Sequence, residues 1–181
     1  NSLTEEIYNI PDDLDDSKAI DKFLSNNKGK KVIVIQGLGF VGAVMSLVCA
    51  NAISEEYAVI GVDLADENNF WKIKSINNGS FPIIADDPKI IEFFNKAKEK
   101  GNLMATYDPL AYRYADVVIV DINLDVEKKS DDNSVLQSFD VNLNGFKSAI
   151  KSIGRNCKPN VLVLVETTVP PGTCEKVVKP I

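Results

Sequence analysis

The sequence predicts an α/β domain with a doubly wound, mainly parallel sheet and helices on both of its faces. Three observations support this prediction. Short apolar, β-branched runs recur along the chain, helical patterns separate them, and a glycine-rich segment directly follows the first run. Continuous apolar runs are typical of strands buried on both faces. Strands that alternate with helices favour parallel pairing through right-handed crossovers.

Composition narrows the possible functions. The chain has 181 residues, 45% of them hydrophobic and 25% charged, which is typical of one soluble globular domain. A net charge of -6 argues against binding to a nucleic-acid backbone. Because the chain has no histidine, an imidazole base and the common histidine-based zinc sites are excluded, and we expect no metal site.

The cysteines and the apolar pattern bear on location. Cys49, Cys157 and Cys174 are an odd number without CxxC spacing, which favours reduced, mostly buried thiols over disulfides or zinc ligation. No apolar run approaches the ~18 residues of a membrane span. The acidic N-terminus lacks the basic-then-apolar pattern of a signal peptide. We therefore expect a cytoplasmic protein without a membrane partner.

The polar, acidic composition of residues 1–29 indicates an N-terminal extension, which we expect to pack on a main domain at 30–181. Within the extension, apolar residues at helical spacing predict a short helix from Asp16 to about Asn26, capped by Asp16 or Ser17.

In the first half of the main domain, the apolar pattern predicts two buried strands and three helices. The predicted strands are Lys31–Gln36 and Tyr57–Asp63, and the predicted helices are Phe40–Ala52, Asn69–Asn77 and Pro88–Lys100. Pro88 suits the first turn of the last helix, and Gly101 ends it.

The second half predicts three more strands, at Leu103–Thr106, Ala115–Asp121 and Val161–Val165, and a helix from near Thr173. Between them, Glu127–Ser134 is polar and predicts a solvated loop. The segment Val135–Ile153 predicts one long helix. The residues expected on its buried face are Val141, Phe146, Ile150 and Ile153.

The segment Gly37–Gly42 is a G-x-G-x-x-G turn between the first strand and first helix. Gly37 permits the tight turn, Gly39 lets the backbone approach a pyrophosphate, and Gly42 allows close packing of the helix on the strand. Free N–H groups and the positive end of the helix dipole then hold the phosphates. The predicted diphosphate-binding residues are Gly37, Gly39, Phe40, Val41 and Gly42.

Asp63 ends the second strand, about 20 residues after the turn, where a dinucleotide-binding Rossmann-like domain carries an acidic residue. A carboxylate there accepts hydrogen bonds from the adenosine ribose and repels a 2′-phosphate. No arginine directly follows Asp63, so NAD is favoured over NADP. The alternative is that Asp63 only caps a loop.

Three segments carry a family resemblance. Gly37–Gly42 resembles the G-x-G-[YF]-V-G of UDP-glucose/GDP-mannose dehydrogenases, and Ile76–Ile83 resembles their L-N-x-G-x-x-P-I. Glu166–Thr173 is very similar to their E-S-T-V-P-P-G-T, the most specific of the three. Their order and spacing agree with the family from about Lys30 to the end of the chain. On its own, the last segment could be a plain strand-to-helix connection.

The resemblance implies an enzyme that oxidises the C6 hydroxyl of a nucleotide-linked sugar to a carboxylate with two NAD. It also implies a cysteine nucleophile that holds the aldehyde as a thiohemiacetal. It implies a homodimeric full-length form that binds the nucleotide sugar through domains beyond this chain. Thr168, the threonine of the family's S-T-V-P, is the one catalytic residue carried over, expected beside the nicotinamide and positioning a water or oxyanion.

The chain departs from the family at two loops. Where the fourth strand of the family runs into V-x-T-P beside the cofactor, this chain has Ile122-Asn123-Leu124-Asp125. We expect Ile122 and Asn123 to keep the cofactor contact, while Leu124 lacks the hydroxyl and Asp125 adds a charge near the diphosphate. The family's glutamate after P-I is replaced by Ala85 with two aspartates beyond it.

None of the three cysteines lies in the family's G-x-G-G-x-C setting, and the chain ends abruptly for a complete enzyme. We therefore expect an NAD-binding domain that binds the cofactor without turnover. Two alternatives remain: a non-catalytic NAD-sensing or interaction module with a diverged cofactor site, and another NAD dehydrogenase of hydroxyacid or 6-phosphogluconate type. The segment Glu166–Thr173 argues against the latter.

Overall fold

The computed structural model describes residues 1, 4–124, 126–130 and 136–181. Five parallel strands form one sheet in the order β3-β2-β1-β4-β7, and β5 pairs with β6 separately. The strands are β1 (Lys31–Gln36), β2 (Tyr57–Val62), β3 (Leu103–Thr106), β4 (Val117–Val120), β5 (Val126–Ser130), β6 (Leu136–Val141) and β7 (Leu162–Val165). From β1 the chain winds outward in both directions, which confirms the doubly wound parallel sheet.

Helices cover both faces of this sheet, as predicted. They are α1 (Ser17–Asn26), α2 (Phe40–Ala50), α3 (Phe70–Asn77), α4 (Pro88–Lys100) and α5 (Asn144–Asn156), with a 3₁₀ turn at Pro109–Tyr114 and a π-helical turn at Cys174–Val178. The first face carries α2, α3 and α4, and the second carries α1, the 3₁₀ turn and α5. In the described part of the chain, no helix is long and apolar enough to cross a bilayer.

Strand β1 shows why the apolar runs lack alternation. Val32 and Val34 point into the core under α1 and α5, while Ile33 and Ile35 point into the core under α2. Both sets are buried, so each of these four positions must be apolar. Full burial of one such side chain contributes about 1.5–3 kcal/mol.

The region after β4 differs from the prediction. The predicted loop Glu127–Ser134 overlaps β5, which pairs antiparallel with β6, and part of it lies outside the described residues. The predicted helix Val135–Ile153 is wrong in its first half, because α5 begins only at Asn144 and Val141 ends β6. The side chain of Asn142 accepts a hydrogen bond from Asn144 N at 3.0 Å, which marks the helix start. Strand pairing between distant residues overrode a local helical pattern here.

In the second half of that segment, Phe146, Ile150 and Ile153 are buried as predicted. The boundaries of α4 are also confirmed, with Pro88 in its first turn and Gly101 ending it at φ 62°. The expectation of mostly buried thiols is wrong: Cys49 and Cys157 are partly exposed, and Cys174 is exposed.

Asp16 is the N-cap residue of α1, as predicted, but its side chain makes no capping hydrogen bond. Instead the Asp16 carboxylate accepts a hydrogen bond from the Thr106 hydroxyl at 2.6 Å, and its backbone N–H donates to Asp108 Oδ2 at 2.9 Å. With Ile20 fully buried in the core, these contacts attach the N-terminal segment to the end of β3.

Asn77 protects the open edge of the sheet. Its amide oxygen accepts a hydrogen bond from Ala105 N at 2.9 Å, and its amide nitrogen donates to Ala105 O at 2.7 Å. The side chain thus pairs with edge strand β3 as a neighbouring strand would, which satisfies two backbone groups of a buried residue.

We expect Asn77→Ala to lower the free energy of unfolding by about 1–3 kcal/mol, because both backbone groups of Ala105 lose their partner. Urea unfolding measures the change. Asn95→Ala, at an exposed position of α4, is the matched control and is expected to be neutral or slightly stabilising. Equal midpoints for the two variants would contradict the edge-pairing role of Asn77.

Candidate functional site

A cavity of about 540 Å³ lies at the carboxyl ends of β1 and β4, where the order of the sheet reverses. Crevices at this position are the usual ligand sites of doubly wound sheets, and the volume falls within the range of cofactor pockets. The glycine turn and the end of β2 form one wall, and α5 with the 3₁₀ turn forms the other.

The three glycines of the turn have different surroundings. A Cβ on Gly42 would lie 2.0 Å from Gly37 O, and one on Gly37 would lie 2.3 Å from Asp121 O. Gly37 also has a φ of +96°. By contrast, the Cβ position of Gly39 has no heavy atom within 4 Å. Gly37 and Gly42 are therefore required by the fold, whereas Gly39 leaves open space where a ligand can reach the backbone.

Helix α2 begins directly after Gly39, which has no side chain to cap it. The first-turn N–H groups of a helix have no partner within the helix, and the helix dipole adds partial positive charge there. These groups belong to Phe40, Val41 and Gly42, as predicted. The arrangement suits a diphosphate.

Asp63 ends β2 and is 8% exposed in the cavity wall. Its carboxylate accepts hydrogen bonds from Leu38 N at 2.9 Å and from Leu64 N at 2.8 Å. Lys72 Nζ lies 3.8 Å from Oδ2. Burial raises the pKa of Asp63, and the two amides and Lys72 oppose this rise. The carboxylate therefore both braces the glycine turn and faces the cavity.

The ends of β4 and β7 are joined by Thr167. Its hydroxyl accepts a hydrogen bond from Ile122 N at 2.9 Å and donates to Val120 O at 3.1 Å. The neighbouring residue, Thr168, is exposed. Leu124 packs against the core, and Asp125 lies outside the described residues.

The floor of the cavity is polar. Gln36, the last residue of β1, accepts a hydrogen bond from the buried hydroxyl of Tyr112. Burial raises the pKa of Tyr112, so this hydroxyl stays neutral. Ser148 and Ser152 of α5 line the facing wall.

The structure brings together most of the residues that the sequence singled out. The predicted residues that line the cavity are Gly37, Gly39, Asp63, Ile122 and Asn123. Phe40, Val41 and Gly42 form the adjoining turn of α2. Thr168 is not among the described lining residues.

Sequence reasoning missed three residues of this region: Lys72, Thr167 and Asp121. The Thr167-Thr168 pair just after β7 was a usable signal for one of them, although only Thr167 bonds to Ile122 N and Val120 O. Lys72 had no such signal, since its approach to Asp63 depends on how α3 packs. Asp121 was assigned only to its strand, without a role in the site.

Comparisons with known proteins identify the family of this chain. Residues 30–181 match the family model described as the UDP-glucose/GDP-mannose dehydrogenase family, NAD binding domain. GDP-mannose 6-dehydrogenase from Pseudomonas syringae pv. syringae is 33% identical over 154 residues, which cover 82% of this chain and 31% of that protein. The chain thus spans about a third of the length of the curated relatives it matches.

Two solved structures are similar to this chain. NDP-N-acetyl-D-galactosaminuronic acid dehydrogenase from Methanosarcina mazei Go1 matches with a TM-score of 0.70 and 25% identity, over 90% of this chain and 32% of the other. A ternary complex of GDP-mannose dehydrogenase from Pseudomonas aeruginosa matches with a TM-score of 0.60 and 30% identity, over 82% of this chain and 31% of the other.

The surroundings of Gly39 predict that a substitution there affects NAD binding but not stability. Gly39→Ala is expected to leave the urea midpoint within the scatter of the wild type, because its methyl group meets open space. The same methyl group is expected to weaken NAD binding at least ~10-fold by keeping the diphosphate from the backbone. Calorimetric titration with NAD measures this loss.

Gly42→Ala is the matched comparison. Its methyl group would overlap Gly37 O, so we expect a loss of about 1–3 kcal/mol or more in the free energy of unfolding. A Gly39→Ala variant that binds NAD normally would show that the diphosphate does not approach the turn as argued.

Proposed function

Because the chain belongs to the UDP-glucose/GDP-mannose dehydrogenase family and corresponds to its NAD-binding domain, we propose that it serves a nucleotide-sugar 6-dehydrogenase. In the proposed reaction, the C6 hydroxyl of the sugar is oxidised to a carboxylate with two NAD. The remainder of such an enzyme would bind the nucleotide sugar and supply the cysteine nucleophile. This chain alone would bind NAD without turnover.

The observation that carries the proposal is the combination of an open Gly39 with a buried carboxylate on the same cavity wall. The first-turn amides of α2 would hold the diphosphate, and Asp63 would accept hydrogen bonds from the adenosine ribose. NAD supplies the hydride acceptor when bound. The protein's part is to orient the cofactor and exclude competing reactions.

Asp63 and a set of neighbouring carboxylates support NAD over NADP. Tyr107 lines the same cavity as Asp63. Burial raises the pKa of Tyr107, and four nearby aspartates raise it further. They are Asp13, Asp15, Asp16 and Asp108. A 2′-phosphate would add negative charge to an already acidic rim. Lys72 is the opposing cation, and its contact with Asp63 reduces its attraction for a phosphate.

Several finer assignments stay predictions. Thr168 follows β7 at the carboxyl edge of the sheet, which supports its assignment near the nicotinamide. The division into an extension at 1–29 and a domain at 30–181 agrees with the start of the family match at residue 30. Family membership supports the proposals of a homodimeric full-length form and of a nucleotide-sugar partner. The free cysteines support a cytoplasmic location.

A non-catalytic NAD-binding module is the second candidate. It is favoured by Leu124, which packs into the core where the family places a threonine beside the cofactor. The coding sequence downstream of Ile181 separates the two candidates. A G-x-G-G-x-C segment there supports the dehydrogenase, and its absence supports the module.

Calorimetric titration with NAD and NADP tests the cofactor assignment. We expect saturable NAD binding, weaker NADP binding, and a ~10- to 100-fold loss of NAD affinity in Asp63→Ala, since charged hydrogen bonds to the ribose disappear. Because Lys72 is then unpaired, NADP should lose less affinity than NAD. No binding of either nucleotide at millimolar concentration would contradict the proposal.

The acidic rim is tested separately. Asp13→Asn/Asp15→Asn keeps the side-chain oxygens that accept hydrogen bonds from Asp15 N and Ser17 N but removes two charges. We expect the preference for NAD over NADP to fall about two- to fivefold below that of the wild type at low salt. The difference should shrink at high salt, where the charges are screened. Glu92→Gln/Glu99→Gln on exposed α4 is the control. The same preference in both variants would exclude a role for the rim.

A further inference from the structure

Asp121 is the first residue after β4 and part of the cavity wall. Its side chain lies on the α2 side of the sheet, where its Cβ would be 3.1 Å from a Cβ on Gly42. The residue is 9% exposed. Its Oδ2 atom is buried and has no hydrogen-bond partner among the described residues.

The groups around Asp121 disfavour a negative charge. Val120 of β4 pairs with Val165 of β7, which places Glu166 beside Asp121 at the ends of the two strands. From α2, the thiol of Cys49 is close enough to interact electrostatically with both carboxylates. Burial raises the pKa of Asp121, and Glu166 raises it further. Burial also raises the pKa of Cys49, to about 11, so this thiol stays neutral.

A buried carboxylate oxygen without a donor is costly, and native structures rarely retain one without a reason. Here the residue borders the first turn of α2, where the two negative charges of a dinucleotide diphosphate are expected. Those charges would act on Asp121 across a poorly solvated wall. Ionisation of Asp121 and binding of the diphosphate therefore disfavour each other.

We propose that Asp121 takes up one proton from the solvent when a dinucleotide diphosphate binds at the glycine turn, so that cofactor affinity depends on pH through this residue. The proton forms the O–H bond of a neutral carboxylic acid, and no other bond changes. This inference rests on the proposed cofactor site.

The direction of the pH dependence of NAD affinity follows from the linkage between proton binding and ligand binding. NAD affinity should be highest where Asp121 is already protonated and should fall as pH rises through its titration, by at most ~10-fold per pH unit. Asp63 acts in the opposite sense, because its protonation at low pH removes a ribose acceptor. The other titratable groups of the cavity are Lys72, Tyr107 and Tyr112.

The test is calorimetric titration of the full chain with NAD from pH 5.5 to 8, in pairs of buffers with different ionisation enthalpies. Wild-type protein should take up protons on binding. Asp121→Asn should take up fewer and bind NAD about three- to tenfold more tightly at pH 8, since one nearby charge is gone. Glu166→Gln should shift the pH dependence to lower pH, and Glu99→Gln on exposed α4 should match the wild type.

Thermal unfolding of the apo chain gives a second readout. Because the pKa of Asp121 is raised in the folded state, its charge costs stability as pH rises through that pKa. Asp121→Asn should therefore unfold at a higher temperature than wild type at pH 8, and the difference should vanish at low pH. If Asp121→Asn unfolded at a lower temperature than the wild type, by the same amount at every pH, the inference would be overturned.

The outcomes separate this inference from the proposed function. If wild type and Asp121→Asn bind NAD with the same affinity and the same proton uptake, the inference fails while the cofactor site stands. If neither protein binds NAD at any pH, both fail.

Discussion

Close contact between the glycine turn and the end of β4 is the constraint on which the other features of the site depend. The backbone of Gly42 lies against Gly37, and Gly37 lies against the carbonyl of Asp121, at distances that no side chain could occupy. This contact seats the first turn of α2 on the edge of the sheet, so its free amides lie next to the crevice between β1 and β4. The same contact buries Asp121 under the helix.

Hydrogen bonds between strand ends give the crevice its shape. Asp63 connects the end of β2 to the glycine turn through Leu38 N, and Thr167 connects β7 to β4. The two buried carboxylates differ in how their charge is compensated. Asp63 has two amides and Lys72, whereas Asp121 faces Glu166. The negative charge of Asp63 is therefore compensated by its neighbours, whereas that of Asp121 is disfavoured by Glu166.

The edge of the sheet at β3 is also specialised. Asn77 pairs with the outer side of the strand, and Asp16 binds Thr106 at its carboxyl end. The second contact brings an acidic segment to the rim of the cavity beside Tyr107. Neighbouring parts of the chain thus protect the edge strand and make this part of the cavity rim acidic.

The sequence alone determined the strands of the sheet, most helices, the glycine turn and Asp63, because these depend on local periodicity and on spacing along the chain. It did not predict the β5–β6 hairpin, since pairing of Val126 with Val141 depends on long-range register. It predicted Asp16 or Ser17 as the N-cap of α1, but not the hydrogen bond that the Asp16 carboxylate accepts from the hydroxyl of Thr106. The approach of Lys72 to Asp63 and the burial of Asp121 beside Glu166 were decided only by the tertiary structure. The reason is that desolvation and charge pairing act through space, between residues that no sequence pattern links.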